Sequence, residues 1–187
     1  IQHLGGLVSS NYLTTHIGSG KSYSQLKDKY KQEKENVLDT VRDVRYVTGA
    51  MLATRTELFT GLGGFDTGYR PAYFEELDYC LKCARLGYRV AVNPLAMARH
   101  AEAVTLKKYS SSFYHLYHKN RIRCAVLNAK LPYREFWAAE RKWVREQSTA
   151  DQKRALRSAY AKNFLLLLFN LAVRIKNHFI LNRLKLK

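Results

Sequence analysis

"GGFDTGYRPAYFEELDYCLKCARLGYRV", residues 63–90, is the stretch on which the fold turns. It opens on paired glycines, is broken at Pro71, and then carries an apolar period up to Gly87, which predicts a helix over 74–86 stopped by that glycine. At about 100° per residue, Leu77, Cys80, Leu81 and Ala84 share one side of this helix and Asp78, Lys82 and Arg85 the opposite side. Four carboxylates, Asp66, Glu75, Glu76 and Asp78, gather here although Lys and Arg outnumber the acids by 32 to 15 over the whole chain. Glu76 falls on the border of the apolar stripe, about 80° from its centre. That position strips part of its hydration, and Glu75 and Asp78 add like charge, so both effects raise its proton affinity toward the working range of a general base. The positive end of the helix works the other way. Acids also favour first turns for that reason alone, and Asp78 with Lys82 has the spacing of an ordinary i,i+4 surface pair.

Working outward, "IQHLGGLVSS" reads as a short strand entering a turn, and residues 18–45, polar and Lys-rich, as a long surface loop with room for one helical turn. "YVTGAMLAT" (46–54) predicts a buried strand. Thr54 and Glu57 have the spacing of a capping box opening a short helix that ends at Gly61, Gly63 and Gly64. "YRVAVNP" predicts the next strand, with "AMARH" extending it to His100. Strand, helix, loop, helix, strand is an α/β pattern. From Lys107 onward only helices are expected: one up to Pro132, one in "PYREFWAAERKWVREQ", and a long final segment from about Asp151. The organisation is therefore an α/β part over 1–106 and a basic helical extension over 107–187.

Charge follows the same division. Residues 1–106 hold 13 Lys and Arg against 11 acids, and residues 107–187 hold 19 against 4, so nearly all of the formal +17 sits in the extension. Such a half faces a polyanion, either nucleic acid or an anionic membrane surface. With 187 residues, 47% of them hydrophobic and 25% charged, the chain has the composition of a folded domain rather than a disordered one. Its three cysteines are an odd number, which speaks against a disulfide framework and for a reducing compartment. Cys80 and Cys83 form a single CxxC without the second pair a tetrahedral zinc site needs, and read as small apolar residues on a buried helix face. No initiator Met or leader precedes Ile1, so the chain is expected to begin in mid-domain.

"FLLLLFNLAV" (164–173) is too short to cross a bilayer, which needs about 20 apolar residues. With the following "RIKNHFILNRLKLK" it reads as amphipathic, either lying at an interface with its cations on anionic head groups or packed on the rest of the protein. "FYHLYHKNRIR" (113–123) mixes aromatics with cations as single-strand binders do, yet Phe113, Leu116, Tyr117 and Asn120 follow helical spacing and read as core. His115 and His118, three apart, read as structural. No nucleic-acid partner is expected.

Thr48-Gly49-Ala50, the Arg55 helix, the Gly63-Gly64-Phe65-Asp66 turn, the Glu75-Glu76-x-Asp78 cluster, Gly87-Tyr88, Pro94 and His100 occur in the order that resembles family 2 glycosyltransferases of the rhamnosyltransferase-like branch. The resemblance spans residues 1–106 and implies the C-terminal half of a GT-A fold, followed by the all-α extension. It implies an inverting transferase that moves a sugar from a nucleotide-diphosphate donor to an acceptor hydroxyl, on a glycan or lipid-linked acceptor of cell-surface polysaccharide or glycolipid synthesis. In that family the second acid of the pair deprotonates the acceptor, which places the base at Glu76, within a catalytic cluster of Glu75, Glu76 and Asp78. Glu stands here where Asp is commoner, so the base reaches one methylene further. Gly63, Gly64, Phe65 and Asp66 would form the acceptor-side wall, and His100 would be a ligand of the divalent cation, Mn²⁺ or Mg²⁺, that offsets the departing diphosphate. An Asp-x-Asp motif, which the family uses for metal and diphosphate, occurs nowhere in the chain. It is expected upstream of Ile1, with most of the metal ligands. The expected location is the cytoplasmic, inner face of the cell membrane, through the tail. The competing expectation is a non-catalytic basic module for nucleic acid or anionic membrane.

Overall fold

The computed structural model describes residues 1–32, 38–100 and 110–185. In chain order its elements are β1 (Gly6–Val8), β2 (Thr14–His16), α1 (Tyr23–Gln32), β3 (Arg42–Asp43), α2 (Thr56–Gly61), α3 (Glu75–Arg85), β4 (Ala91–Val92), α4 (Ser111–Asn128), α5 (Arg134–Glu146), α6 (Ala150–Leu165) and α7 (Leu167–Lys185). The chain is mixed and mostly helical, an α/β part followed by a helical part. Its sheets are small: β1 pairs antiparallel with β2, and β3 with β4. The helical boundary expected near 106 falls among residues 101–109, outside the described residues.

The predicted helix over 74–86 is α3, and Gly87, with φ +86°, ends it as read. Its surroundings differ from the expectation. Asp78 and Lys82 do not face solvent; both are buried, 2.7 Å apart, with Asp78 also accepting from Asn128 Nδ2 at 2.6 Å. Ala84, expected inside, is exposed. The reason is that α3 is covered on several sides. Leu77 and Cys80 join Tyr46, Tyr69, Phe74, Cys124 and Leu127 in one cluster, while Tyr79 and Cys83 join Leu62 and Leu181 in another. A period computed for one buried face cannot register α4 arriving from the far end of the sequence. Cys80, Cys83 and Cys124 are free and buried.

Four further expectations are corrected. Residues 46–54 are not a buried strand: only Tyr46 makes an isolated bridge, to Gly6, and Gly49–Met51 form an exposed 3₁₀ turn in which the Thr48 hydroxyl accepts from the Ala50 amide. A local side-chain bond competes there with sheet pairing. Thr54 and Glu57 make no capping box, because α2 starts after Arg55 and the Thr54 hydroxyl is engaged with Tyr79 Oη at 2.7 Å. "AMARH" is an exposed non-strand segment, so His100 does not end a strand. Within the expected loop 18–45, α1 runs for ten residues, and its Leu26 and Tyr30 bury themselves against Leu4 and Leu38.

The helical part begins with Ser110, whose hydroxyl accepts from the Phe113 amide, and α6 carries the reciprocal Thr149–Gln152 capping box. The single final segment expected from Asp151 is two helices, α6 and α7, bent by 70°. α4 is the keystone of the whole molecule. It shares the first cluster with α3 through Cys124 and Leu127, and a second with α5 and α6 through Ile122, Ala125, Phe136, Trp143, Leu156 and Ala159.

Candidate functional site

α3 starts from an unusual backbone. Tyr73 and Phe74 both have positive φ, +76° and +78°, the left-handed region that side chains other than glycine avoid. Each such residue costs about 1–3 kcal/mol and persists only where its surroundings over-determine it. Here the determinant is Asn120 of α4. Fully buried, its Nδ2 donates to the carbonyls of Tyr69, Ala72 and Tyr73 at 2.6, 2.7 and 3.1 Å. The helical spacing of 113–120 reads Asn120 as a core position. The available signal was its polarity within an otherwise aromatic and aliphatic row, which a buried helix face tolerates only when the amide has partners. Asn120→Ala is expected to lower stability by about 1–3 kcal/mol, since the carbonyls it serves lose their donor. Urea unfolding checks this, and an unchanged midpoint would dissociate Asn120 from the turn.

The turn delivers Glu75 and Glu76 to the first turn of α3. Both are half-buried, and one oxygen of each, Oε2, is shut from solvent without a hydrogen-bond partner. Burial raises the Glu75 carboxyl above its usual range. Burial, and then the charge of Glu75, push Glu76 up to about 7, with the hydrogen bond to its own backbone amide offsetting part of the rise. Desolvation and a like-charged neighbour, the two causes inferred from the border position, are both at work, but the neighbour is Glu75 rather than Asp78. Asp78 has one oxygen on Lys82 and the other on Asn128. The structure places it beneath α4 as a packing and pairing residue, not beside Glu75 and Glu76 on the surface.

The charge of Glu76 reaches the buried Tyr46, whose own proton affinity is raised chiefly by burial. Tyr46 is in turn part of a ring cluster with His3 and His16, the two imidazoles meeting edge to face at 4.6 Å between centroids. Burial, then His16, hold His3 down at about 4, a neutral imidazole whose Nε2 accepts from the Thr48 amide at 3.3 Å. His100 approaches the same end of the molecule from outside: exposed, it pairs through Nδ1 with Gln2 Oε1 at 3.0 Å, next in sequence to His3. Among the described residues no three His, Cys, Asp or Glu side chains converge as a metal site. His100 therefore supplies one imidazole, and the described residues do not by themselves fit a divalent cation.

The Gly63–Asp66 turn is built as its glycines require. Gly63 and Gly64 have φ +80° and +71°, and the Gly64 amide closes onto the Phe59 carbonyl at 2.8 Å. Phe65, partly exposed, meets Phe59 and Tyr79 edge to face. Tyr79 lies one residue past Asp78, close to one turn along α3 from Glu76, so the turn and the acidic pair are braced by the same helix. Asp66 faces inward: it caps Gly68 at 2.8 Å and pairs with Arg123 Nη2 at 2.7 Å. The Arg123 guanidinium lies so close over Gly68 that a Cβ there would meet it at 2.4 Å. His118, read as structural, is buried beside Arg121 and Trp143 and held near 3 by burial and by Arg121.

A cavity of about 630 Å³ opens elsewhere, between α5 and α6, lined by Trp137, Arg141, Arg145, Lys153, Arg157 and Tyr160 among others. The acidic pair does not line that cavity. The chain matches no protein-family model and no curated protein.

Proposed function

We propose that the chain is the acceptor-side part of an inverting, family 2-like glycosyltransferase with a GT-A catalytic domain. One observation carries the reading: Glu76 is a carboxylate held half-buried at the head of a helix, with an unpaired oxygen and a proton affinity raised to about 7. An alcohol attacks an anomeric carbon poorly until a base within hydrogen-bond reach takes its proton, and a base titrating near neutrality does this best at cellular pH. In the proposed reaction the acceptor hydroxyl donates to Glu76. Its oxygen bonds to the anomeric carbon, the bond from that carbon to the diphosphate breaks, and the proton stays on Glu76. Glu75 keeps the proton affinity of its neighbour high. Asp78, with Lys82 and Asn128, anchors the helix that carries both, and the Gly63–Asp66 turn presents Phe65 as an apolar wall for the acceptor. The donor is a nucleotide-diphospho-sugar and the acceptor a glycan or lipid-linked hydroxyl. A divalent cation, Mn²⁺ or Mg²⁺, would supply charge neutralisation for the diphosphate, with His100 as one ligand and the others from residues outside this sequence. A purely basic binding module would leave two half-buried, unpartnered carboxylate oxygens without a use.

The test is sugar transfer by the complete enzyme carrying Glu76→Gln: transfer is expected to disappear while donor binding persists, and unchanged turnover removes Glu76 from the reaction. A separate variant, His100→Ala, is expected to shift the metal titration of transfer to higher concentration. Superimposable titration curves would exclude His100 as a ligand.

A further inference from the structure

After Asp151 the chain contains no carboxylate side chain, while its last 36 residues hold nine Lys and Arg. Among the described residues, the same segment carries the most exposed apolar run. Phe164, Leu165, Leu166, Leu167, Leu168 and Phe169 all lie open at the bend between α6 and α7, Leu165 at 82% and Leu168 at 83%. Beyond the bend the exposure continues as a stripe. Leu168, Ala172, Ile175 and Phe179, at steps of four, three and four, occupy one side of α7 and are all exposed. The opposite side is committed to the fold: Asn170 and Leu181 are buried, and Arg174 donates to the carbonyls of Val126 and Ala129 at 2.6 and 2.8 Å. Val173, Ile180 and Leu184 also pack on the covered side, so α7 carries a second apolar stripe that the described residues leave uncovered, one that suits a second apolar environment.

Charge selects the occupant. Lys176 and Arg183, both exposed, fall at the margin of the stripe, about 60–80° from Leu168 by helical spacing. From there long side chains can lay their stems along a hydrocarbon surface and keep their charges at its polar boundary. On α6, Lys153, Arg157 and Tyr160, which line the basic cavity between α5 and α6, stand in one helical row with Phe164 at the bend. Cationic and apolar surfaces are thus continuous along α6. A second copy of this chain would bring like charge against like charge. A nucleic acid would satisfy the cations and leave the leucines in water. No single described helix is long and apolar enough to span a bilayer, and α6 with α7 reach that length only across the 70° bend.

We infer that the α6–α7 elbow is an interfacial docking device for an anionic lipid surface: Leu165, Leu168, Phe169, Ile175 and Phe179 enter the head-group boundary, and Lys176, Arg183 and the basic row of α6 meet the lipid phosphates. The inference is independent of the transferase reading and holds whether or not the chain moves sugar.

The experiment is co-sedimentation of the full chain with phosphatidylcholine vesicles, with and without phosphatidylglycerol. Binding is expected to need phosphatidylglycerol and to weaken as salt screens the cations. Leu165→Gln with Leu168→Gln is expected to weaken binding at least about tenfold, each lost side chain removing its own burial in hydrocarbon. Lys176→Gln with Arg183→Gln is expected to weaken it about fivefold for each charge removed. All four positions are exposed, so unfolding midpoints should stay close to the parent and the binding change report on the surface. The proposal is overturned if phosphatidylglycerol vesicles are not bound, or if the two glutamines at 165 and 168 leave vesicle binding unchanged. It is equally overturned if those glutamines abolish self-association instead, or if bound protein resists alkaline extraction as a spanning segment does.

Discussion

Glu76→Gln is expected to yield a protein that is more stable than the parent at pH 8 and inactive. The carboxyl of Glu76 is raised from 4.5 to about 7 in the folded chain, by burial first and by Glu75 second. Between those two values the folded state holds a proton that the unfolded state has released, so stability falls as pH climbs through the window, and at pH 8 the full cost of a buried, ionised carboxylate is present. That cost is about 3 kcal/mol from the size of the displacement. A glutamine does not titrate. The advantage of the variant should therefore be absent below about pH 4.5 and fully developed above about pH 7. Thermal or urea unfolding of both proteins across that range measures it. In the proposed transfer reaction the same change would remove the proton acceptor, worth about 10²- to 10⁴-fold in rate. Parallel pH–stability curves for parent and variant would mean that the carboxylate is well solvated after all, and the functional reading would lose its support.

Breaking the Arg121–Glu140 pair is expected to be the most destabilising single change in the molecule. Arg121 is fully buried and Glu140 nearly so. Two parallel bonds join them, Nη1 to Oε2 at 2.9 Å and Nη2 to Oε1 at 2.6 Å. Asn11 Nδ2 donates to Oε2 at 2.8 Å, Tyr160 Oη to Oε1 at 2.6 Å, and Arg121 Nη1 also reaches the Asn11 carbonyl at 2.5 Å. One buried ion pair thereby ties the turn after β1, α4, α5 and α6. Burial alone would raise the Glu140 carboxyl, but the hydrogen bonds and charge of Arg121, with Tyr160 and Asn11, outweigh it and hold the group below its ordinary range. Its contribution is thus present above 4.5 and is lost as pH falls through its depressed folded value. Glu140→Ala leaves a guanidinium in the interior without a counter-charge and should cost about 3–5 kcal/mol. Arg121→Met with Glu140→Leu removes both charges and should be less damaging than the sum of the single changes, because neither charge is stranded. A urea-unfolding cycle gives the coupling directly, and additive losses would show that the pair acts only by filling space.

The two networks explain which parts of the molecule were legible. α3, its glycine stop, the helices of the second half and the separation of charge all follow from short-range spacing. The raised proton affinity of Glu76 also follows, because its border position and its neighbour Glu75 are local facts. Asn120 was visible only as an oddity, since its three carbonyl partners lie 47 to 51 residues away. The strand expected at 46–54 does not form, and the one expected to run to His100 ends at Val92. Apolar composition suggests them, but the hydroxyl of Thr48 favours a local turn, and pairing with β1 ends at the single Gly6–Tyr46 bridge.

By itself the amino-acid order determined α3 and its glycine stop, the helical character of the second half, the gathering of acids along residues 66–78 of the chain, and that the final segment is cationic and apolar at once. Only the tertiary structure decided which of those acids is spent inside the molecule and which is left near its surface. Asp78 and Asp66 are taken by Lys82 and Arg123, whereas Glu75 and Glu76 each keep an oxygen without a partner. It also decided which side of α7 is covered. The physical reason is common to both: the fate of a charge or an apolar side chain depends on what arrives against it, and α4 and α7 arrive from more than 40 residues along the chain.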